Sequence, residues 1–295
     1  GEAAGFETAP GGAPANVAVG VARLGRKSAF LGQVGDDAFG HYLADVLRDK
    51  AVDVSGLRFS SQARTMLAFV SLQDDGERSF MFYRHPSADM LMRPEDVAKN
   101  VIEQARIFHF GSITLISEPA RSATLSAAKF ASKKKKLISY DPNLRLALWP
   151  DEDSARSGML EGFKYAHIVK LSKDEVEFLT GSHNIDDLWR DHTQMIIVTD
   201  GANGATLHTP GAGGGYAHHG YKVQAVDTTG AGDAFVAGAL VSILEQYDEH
   251  GDHAPYLEQV VRFANAVGAL ATTKRGAIPA MPTREDVEHL MQHHA

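Results

Sequence analysis

A chain of 295 residues with 44% hydrophobic and 22% charged residues can bury about three quarters of its unfolded surface, which allows one or two ordinary globular domains. A net charge of −8 argues against nucleic acid as the main partner, because phosphate backbones favour clustered Lys and Arg. No cysteine is present, so disulfides, thiolate zinc sites and cysteine nucleophiles are excluded; no apolar run approaches the ~20 residues of a membrane span, and the expectation is a soluble, cytoplasmic protein with no membrane partner.

The first ten residues carry no apolar strand pattern, whereas Gly11 onward reads as the interior of a domain. Gly11-Gly12-Ala13-Pro14-Ala15-Asn16 runs into a helix over 17–24, with Gly25 as its C-terminal cap. Adjacent glycines let a ligand approach the backbone closely, and Asn16 offers both a donor and an acceptor. No G-x-G-x-x-G follows a strand here, so the dinucleotide fingerprint of a dehydrogenase is missing.

A strand is expected over 28–34 and a helix over 36–50. Between Arg58 and His85 the period changes to two: 65–72 and 78–83 alternate like strands, with Asp74-Asp75-Gly76 as a hairpin turn between them. This β-rich insert, about 58–85, interrupts an otherwise alternating chain and reads as a small lid. Arg84, just past its second strand, either reaches a bound substrate or makes a surface salt bridge.

From Arg106 the alternation is regular. Strands are expected at 107–110, 137–140, 167–171 and 195–199, and helices at 118–132, 153–165 and 173–180. Such a pattern predicts an α/β fold with a parallel sheet covered on both faces, whose ligands gather at the carboxyl ends of the strands. Polar clusters at 111–114, 141–145, 172–175 and 199–204 all fall there. The basic run 133–136 sits at a helix end and reads as a solvated face. A further strand is expected over 216–226, apolar helices over 234–247 and 256–271, a Gly- and Pro-containing loop over 272–282, and a last helix from Glu285. His289, His293 and His294 read as a frayed end rather than a metal site.

The stretch 227–240, D-T-T-G-A-G-D-A-F-V-A-G-A-L, passes from a glycine-broken turn into an alanine-rich helix. Gly230, Ala231 and Gly232 can present bare amides at the positive end of a helix dipole, which favours an anion. A carboxylate beside them, Asp233, opposes anion binding unless it has other work. Taking the proton from a hydroxyl that attacks the anion's phosphorus is such work. The residues therefore suggest a phosphotransferase, with Asp233 as base and residues 230–232 as the anion hole.

Two segments about 200 residues apart, Gly11-Gly12 with Asn16, Gly25 and Gly35, and 227–240, resemble the two signatures of the PfkB-type (ribokinase-like) carbohydrate kinases. Within that family the chain is similar to the fructokinases, through APGGAPAN at 9–16, ERSFMFYRHPSADM at 77–90, HFGSI at 109–113, SYDPNLR at 139–145, EVEFLTG at 175–181 and RGAIPAMP at 275–282. The resemblance implies a three-layer α/β/α fold over 1–295 with a mainly parallel sheet and a β-sheet lid. It implies transfer of the ATP γ-phosphoryl to a sugar hydroxyl, here the 6-hydroxyl of D-fructose. Gly11, Gly12 and Asn16, with Arg84 and Arg145, become sugar contacts. Glu175 matches the glutamate of the family's N-x-x-E motif, which organises Mg²⁺ and phosphate through water; Ser172 stands where that motif has Asn. Thr199, Gly201 and Gly204 match the nucleotide segment T-x-G-x-x-G, and Asn265 a position near adenine. Asp227 and Thr229, with carbonyls of 276–280, resemble a K⁺ site.

Family members begin with a strand carrying a sugar-binding aspartate; no such strand precedes Gly11, and Gly1-Glu2 reads as its stub. Weak sugar binding is the expectation for a chain lacking it. Other acceptors (2-keto-3-deoxygluconate, ribose, a nucleoside) and a non-catalytic sugar-sensing or partner-binding family member are the alternatives. A homodimer through the lid is expected, since small exposed sheet edges invite pairing.

Overall fold

Short runs of branched and aromatic residues form the strands, and longer alanine-rich stretches form the helices between them. The computed structural model describes residues 5, 7–72, 78–211, 214–251 and 256–293. The chain divides into two compact units, one of Gly1–Ser28, Asp49–Val52 and Ile197–Ala295, the other of Ala29–Arg48 and Asp53–Ile196.

In the second unit, β1 (Ser28–Gly35) pairs with β2 (Val52–Ser60), and β3 (Leu67–Leu72) pairs antiparallel with β4 (Arg78–Tyr83) in the register Leu67↔Tyr83 to Leu72↔Arg78. The expected turn at Asp74-Asp75-Gly76 lies outside the described residues. Strand β2 was not expected from the sequence. Asp53 does accept the Ser55 amide at 2.8 Å, yet the strand holds because Gly56 fits against Leu31: a Cβ there would stand 2.5 Å from Leu31 Cδ2. After β1 the chain is pinned by Asp37, which accepts from the Gly40 amide at 2.9 Å and from the Thr65 amide and hydroxyl at 2.8 Å each. Burial pushes the Asp37 carboxyl up, but these hydrogen bonds outweigh it and hold the carboxyl below its ordinary value.

The same unit carries β5 (Ile107–Gly111), β6 (Leu137–Asp141) and β7 (Ile168–Ser172), with β5 parallel to β6 and β6 parallel to β7. They belong to a six-stranded sheet of order β10-β9-β8-β7-β6-β5, where β8 is Met195–Thr199, β9 Ala205–His208 and β10 Tyr216–His218. Their helices are α4 (Ala120–Lys133), α5 (Glu152–Phe163) and α6 (Lys173–Thr180). Helix α5 is flattened by two glycines: a Cβ on Gly158 would lie 2.2 Å from the Trp149 ring, and one on Gly162 would lie 2.3 Å from the Tyr140 ring. Tyr140 is fully buried and its hydroxyl donates to Met159 O at 2.8 Å.

In the first unit, α7 (Ala231–His250) has every residue from Asp233 to Ile243 buried, apolar apart from Asp233 and Ser242. Helices α1 (Ala13–Arg23) and α8 (Leu257–Ala271) pack on it at close range. A Cβ on Gly20 of α1 would lie 2.6 Å from Ala237 Cβ, and one on Gly238 would lie 3.0 Å from Ala264 Cα. Antiparallel β10 pairs with β9 over three residues only. The strand expected to run to 226 stops at His218, because Gly220 turns against the backbone of Ala202 and Gly204. Strand β9 was also unexpected; its four residues bury only Ala205 and Leu207. The last helix, α9 (Arg284–His293), ends with stacked His289 and His293 rings, and His294 lies outside the described residues. Among the described residues no helix is long and apolar enough to cross a membrane.

Candidate active site

Helix α7 begins three residues earlier than its apolar pattern suggests. Gly230 is its N-cap, in the left-handed region at φ 78°, ψ 1°, and makes no side-chain capping hydrogen bond. The turn leaves no room for a larger residue: a Cβ on Gly230 would lie 2.8 Å from Ala277 Cβ. Ala231 and Gly232 are therefore the first helical residues, half-buried, and their amides have no acceptor one turn back within the helix except through the turn itself, where Ala231 N–H reaches Thr228 O at 3.2 Å.

Asp233 falls in the first turn of α7 and is 7% exposed. The Asn16 side-chain amide donates to Asp233 Oδ2 at 2.7 Å, across from the first turn of α1. Asn16 is itself 4% exposed, and its Oδ1 is buried with no hydrogen-bond partner. Gly12 caps α1 at φ 125°, and its carbonyl accepts the Asn16 N–H at 2.8 Å. A side chain at Gly11 would begin 3.8 Å from Asn16 Oδ1, in contact with that acceptor.

Ahead of the turn, Asp227 ties two segments together. Its Oδ1 accepts the Thr229 amide at 2.8 Å and its Oδ2 the Gly276 amide at 2.9 Å. The amides of Val226 and Asp227 donate to Thr272 O at 2.7 and 3.0 Å. The loop after α8 is thus held against the entry to α7 by backbone and carboxylate together.

A glycine-capped helix N-terminus with a buried carboxylate in its first turn is what the two signatures of the sequence anticipate. The pfkB family carbohydrate kinase profile matches residues 2–284. The chain belongs to the pfkB family of carbohydrate kinases. It is 50% identical to probable fructokinase-7 of Arabidopsis thaliana, over 98% of this chain and 86% of that protein. The fructokinase of Xylella fastidiosa with bound ATP superposes with a TM-score of 0.90 at 38% identity, covering 98% of this chain and 92% of that one. The fructokinase of Vibrio cholerae in its fructose, ADP and calcium form gives 0.87 at 36%, covering 98% and 93%. The fold is accordingly the ribokinase-like α/β/α arrangement with a mainly parallel sheet and a small lid sheet, and the protein is a kinase acting on a sugar.

Other family positions in the first unit have visible structural duties. Gly201 and Gly204 have φ of 52° and 95°, and a Cβ on Gly204 would lie 2.1 Å from His218 O. Buried Asn265 gives its amide to His218 O at 2.9 Å, which fastens α8 to β10. Thr199 ends β8, at the carboxyl end where it was expected.

The second unit holds the remaining candidates. Ser172 caps α6 and Glu175 completes a capping box: Glu175 N–H donates to Ser172 Oγ at 3.1 Å, and Ser172 N–H to Glu175 Oε2 at 2.7 Å. Glu175 Oε1 also accepts from the Leu144 amide at 2.7 Å. A cavity of about 320 Å³ opens beside it, lined by Asn143, Arg145, Lys170 and Asp174 among others. Lys170 Nζ pairs with Asp141 at 3.3 Å, and Asn143 holds a left-handed φ of 48° just past β6. Exposed Arg145 donates to the neighbouring Leu144 O at 2.9 Å. Arg84 does make a salt bridge, but a buried one: its side chain is 4% exposed, 2.8 Å from Asp89, and it also donates to Ile113 O at 3.1 Å. His109, whose Nδ1 lies 3.0 Å from Ser139 Oγ, was not singled out from the sequence; burial, and then the Lys170 charge, push its pKa down to about 4.

Proposed function

We propose that this chain transfers the γ-phosphoryl group of ATP to the 6-hydroxyl of D-fructose, with Asp233 as general base and the turn of Gly230, Ala231 and Gly232 as the anion hole. The observation that carries the reading is the buried Asp233 carboxylate on the first turn of a helix whose cap has no side chain. Asp233 takes the hydroxyl proton as the sugar oxygen bonds to the γ-phosphorus and the bond to the bridging oxygen of ADP breaks. The helix dipole and the first amides of α7 stabilise the charge on the transferred group. The orphaned Asn16 Oδ1 fits a sugar hydroxyl as donor, and Gly11, beside it, adds no side chain there. Gly12 is assigned to the sugar on family position.

Mg²⁺ fits the second unit as a water-mediated guest. The Glu175 carboxylate already accepts two backbone amides, from Leu144 and Ser172, which leaves lone pairs for water rather than a direct ion. Among the described residues no cluster of three acidic or histidine side chains could hold a metal alone, in keeping with an ion completed by phosphate oxygens and water. When bound, Mg²⁺ neutralises phosphate charge. Asp227 and Thr229 are the residues we assign to K⁺, since Asp227 already orders the loop at Gly276. Arg145 is assigned to the sugar and Thr199, Gly201, Gly204 and Asn265 to the nucleotide on family position. The whole of 1–295 is read as one kinase domain with its lid at 58–85, in a cytoplasmic homodimer joined through the lid. Met81 and Tyr83, each 60% exposed on β4, support that interface.

Relatives called fructokinases at 50% identity favour fructose over ribose, 2-keto-3-deoxygluconate or a nucleoside as acceptor. An ADP-release assay across these acceptors tests it. Fructose should give the largest kcat/KM; a larger value with another acceptor would reassign the substrate, and no release with any acceptor would favour a sugar sensor.

A further inference from the structure

We infer that Asn16 is the positioning residue for Asp233, holding the carboxylate in one rotamer and in its ionised form while the other half of the same amide receives the alcohol. This rests on the reading of Asp233 as base and adds to it how the base is held.

The bond between them is 2.7 Å long and joins two side chains that are 4% and 7% exposed. A hydrogen bond from an amide to an ionised carboxylate, away from water, favours the charged form and fixes its direction. The amide has one workable orientation. Turned over, it would set Oδ1 against Asp233 Oδ2, two acceptors face to face. Nδ2 therefore faces the carboxylate, and Oδ1 faces away from it without a partner.

The mount is stiff as well. Asn16 is carried on the first turn of α1, tied by its N–H to Gly12 O at 2.8 Å. One turn further on, Gly20 brings α1 flush with α7, where a Cβ would stand 2.6 Å from Ala237 Cβ. Distance and angle between amide and carboxylate are thus set by helix packing rather than by a loop, which suits a group that must hold geometry to a fraction of an ångström. A hydroxyl donating to Oδ1 is registered against the carboxylate through one planar group. The amide gives to the base and takes from the alcohol without itself exchanging a proton.

A residue that only touched the sugar, or only filled space, would behave differently in a double-mutant cycle. The test measures kcat, sugar KM and melting temperature for the full chain with Asn16→Ala, Asn16→Asp, Asp233→Ala, and Asn16→Ala combined with Asp233→Ala. Asn16→Ala should lower kcat roughly 10- to 100-fold. Asn16→Asp, equal in size but lacking the donor, should lower it at least as much. In the Asp233→Ala background the same Asn16→Ala change should alter the residual kcat by less than about 3-fold. Multiplying losses in the double variant, or a loss confined to sugar KM, would overturn the inference while leaving the base in place. Near-normal turnover of Asp233→Ala would instead remove the base and the inference with it. If Asn16→Ala melts well below the parent, Asn16→Asp and Asn16→Ser carry the cycle, with the same outcomes deciding.

Discussion

Two helix N-termini in this protein carry an acidic residue at the same place, three positions after the cap, and use it in opposite ways. At α6 the cap is Ser172 and the acid is Glu175, whose carboxylate turns back onto the Ser172 amide and sideways onto the Leu144 amide. At α7 the cap is Gly230, which offers no side chain, and the acid is Asp233, whose carboxylate receives Asn16 from another helix. The first helix start is satisfied by its own residues and adds stability. The second gives its carboxylate to a long-range partner and has no side-chain cap, which suits a site where a ligand's charge must arrive and leave.

If that contrast is right, the largest effect belongs to α7 and shows in rate. Asp233→Ala should lower kcat by about 10²–10⁴-fold while ATP binding, followed by calorimetry, stays within a few-fold of the parent. Unimpaired turnover, or a collapse in ATP affinity of the same size, would break the comparison. The counterpart at α6 should show in stability. Glu175→Ala leaves two half-buried amides without their acceptor and should cost about 1–3 kcal/mol in a denaturant melt without ligands. A melt unchanged by Glu175→Ala would mean that its amide bonds are incidental.

Much of this contrast could be read before the fold was known, and what could not has physical causes. The glycines of 230–232 and the acid beside them announce a helix start because only small residues fit bare amides. The helix begins at Ala231 rather than 234 because Gly230, at positive φ, takes the turn on itself. The carboxyl ends of β5, β6 and β7 were found where polar clusters follow apolar runs. Strand β2 was missed because Asp53 and Ser55 make a local bond that mimics a turn, and the end of β10 was misplaced because the close backbone contact of Gly220 depends on residues 16 and 18 positions earlier. The Asn16–Asp233 bond spans 217 positions, so no local pattern encodes it. Arg84 was expected to reach a bound substrate or to make a surface salt bridge; Asp89, five residues on, is what lets it be buried instead.

A smaller effect separates the two units by pH. His109 in the second unit has its pKa pushed down from 6.5 to about 4, so the folded chain binds a proton there less readily than the unfolded chain. Stability from this group is complete above pH 6.5, falls as pH drops through the interval to about 4, and then levels off. The decline should be about 1–2 kcal/mol once the partial exposure of the ring is allowed for. His109→Gln, which can still bond Ser139, should flatten that part of the melting profile. An equally steep profile in the variant would assign the acid loss elsewhere, with His167, lowered by burial and by His192, as the next group to replace.

The smallest effect tests the α6 cap itself and bears on a family position. Ser172→Ala removes the acceptor of the Glu175 amide and should cost about 1 kcal/mol of stability, with the Glu175 carboxylate still on its two amides. Ser172→Asn should restore most of it, since Asn and Ser cap equally well, and Asn is the residue the family motif carries there. Recovery of stability in Ser172→Asn with kcat unchanged through all three forms would mean that position 172 serves the helix and leaves chemistry to its neighbours. A change in kcat that follows the cap residue rather than the melting temperature would show that even the self-satisfied helix start reaches the transferred phosphate, and the division drawn between α6 and α7 would fall.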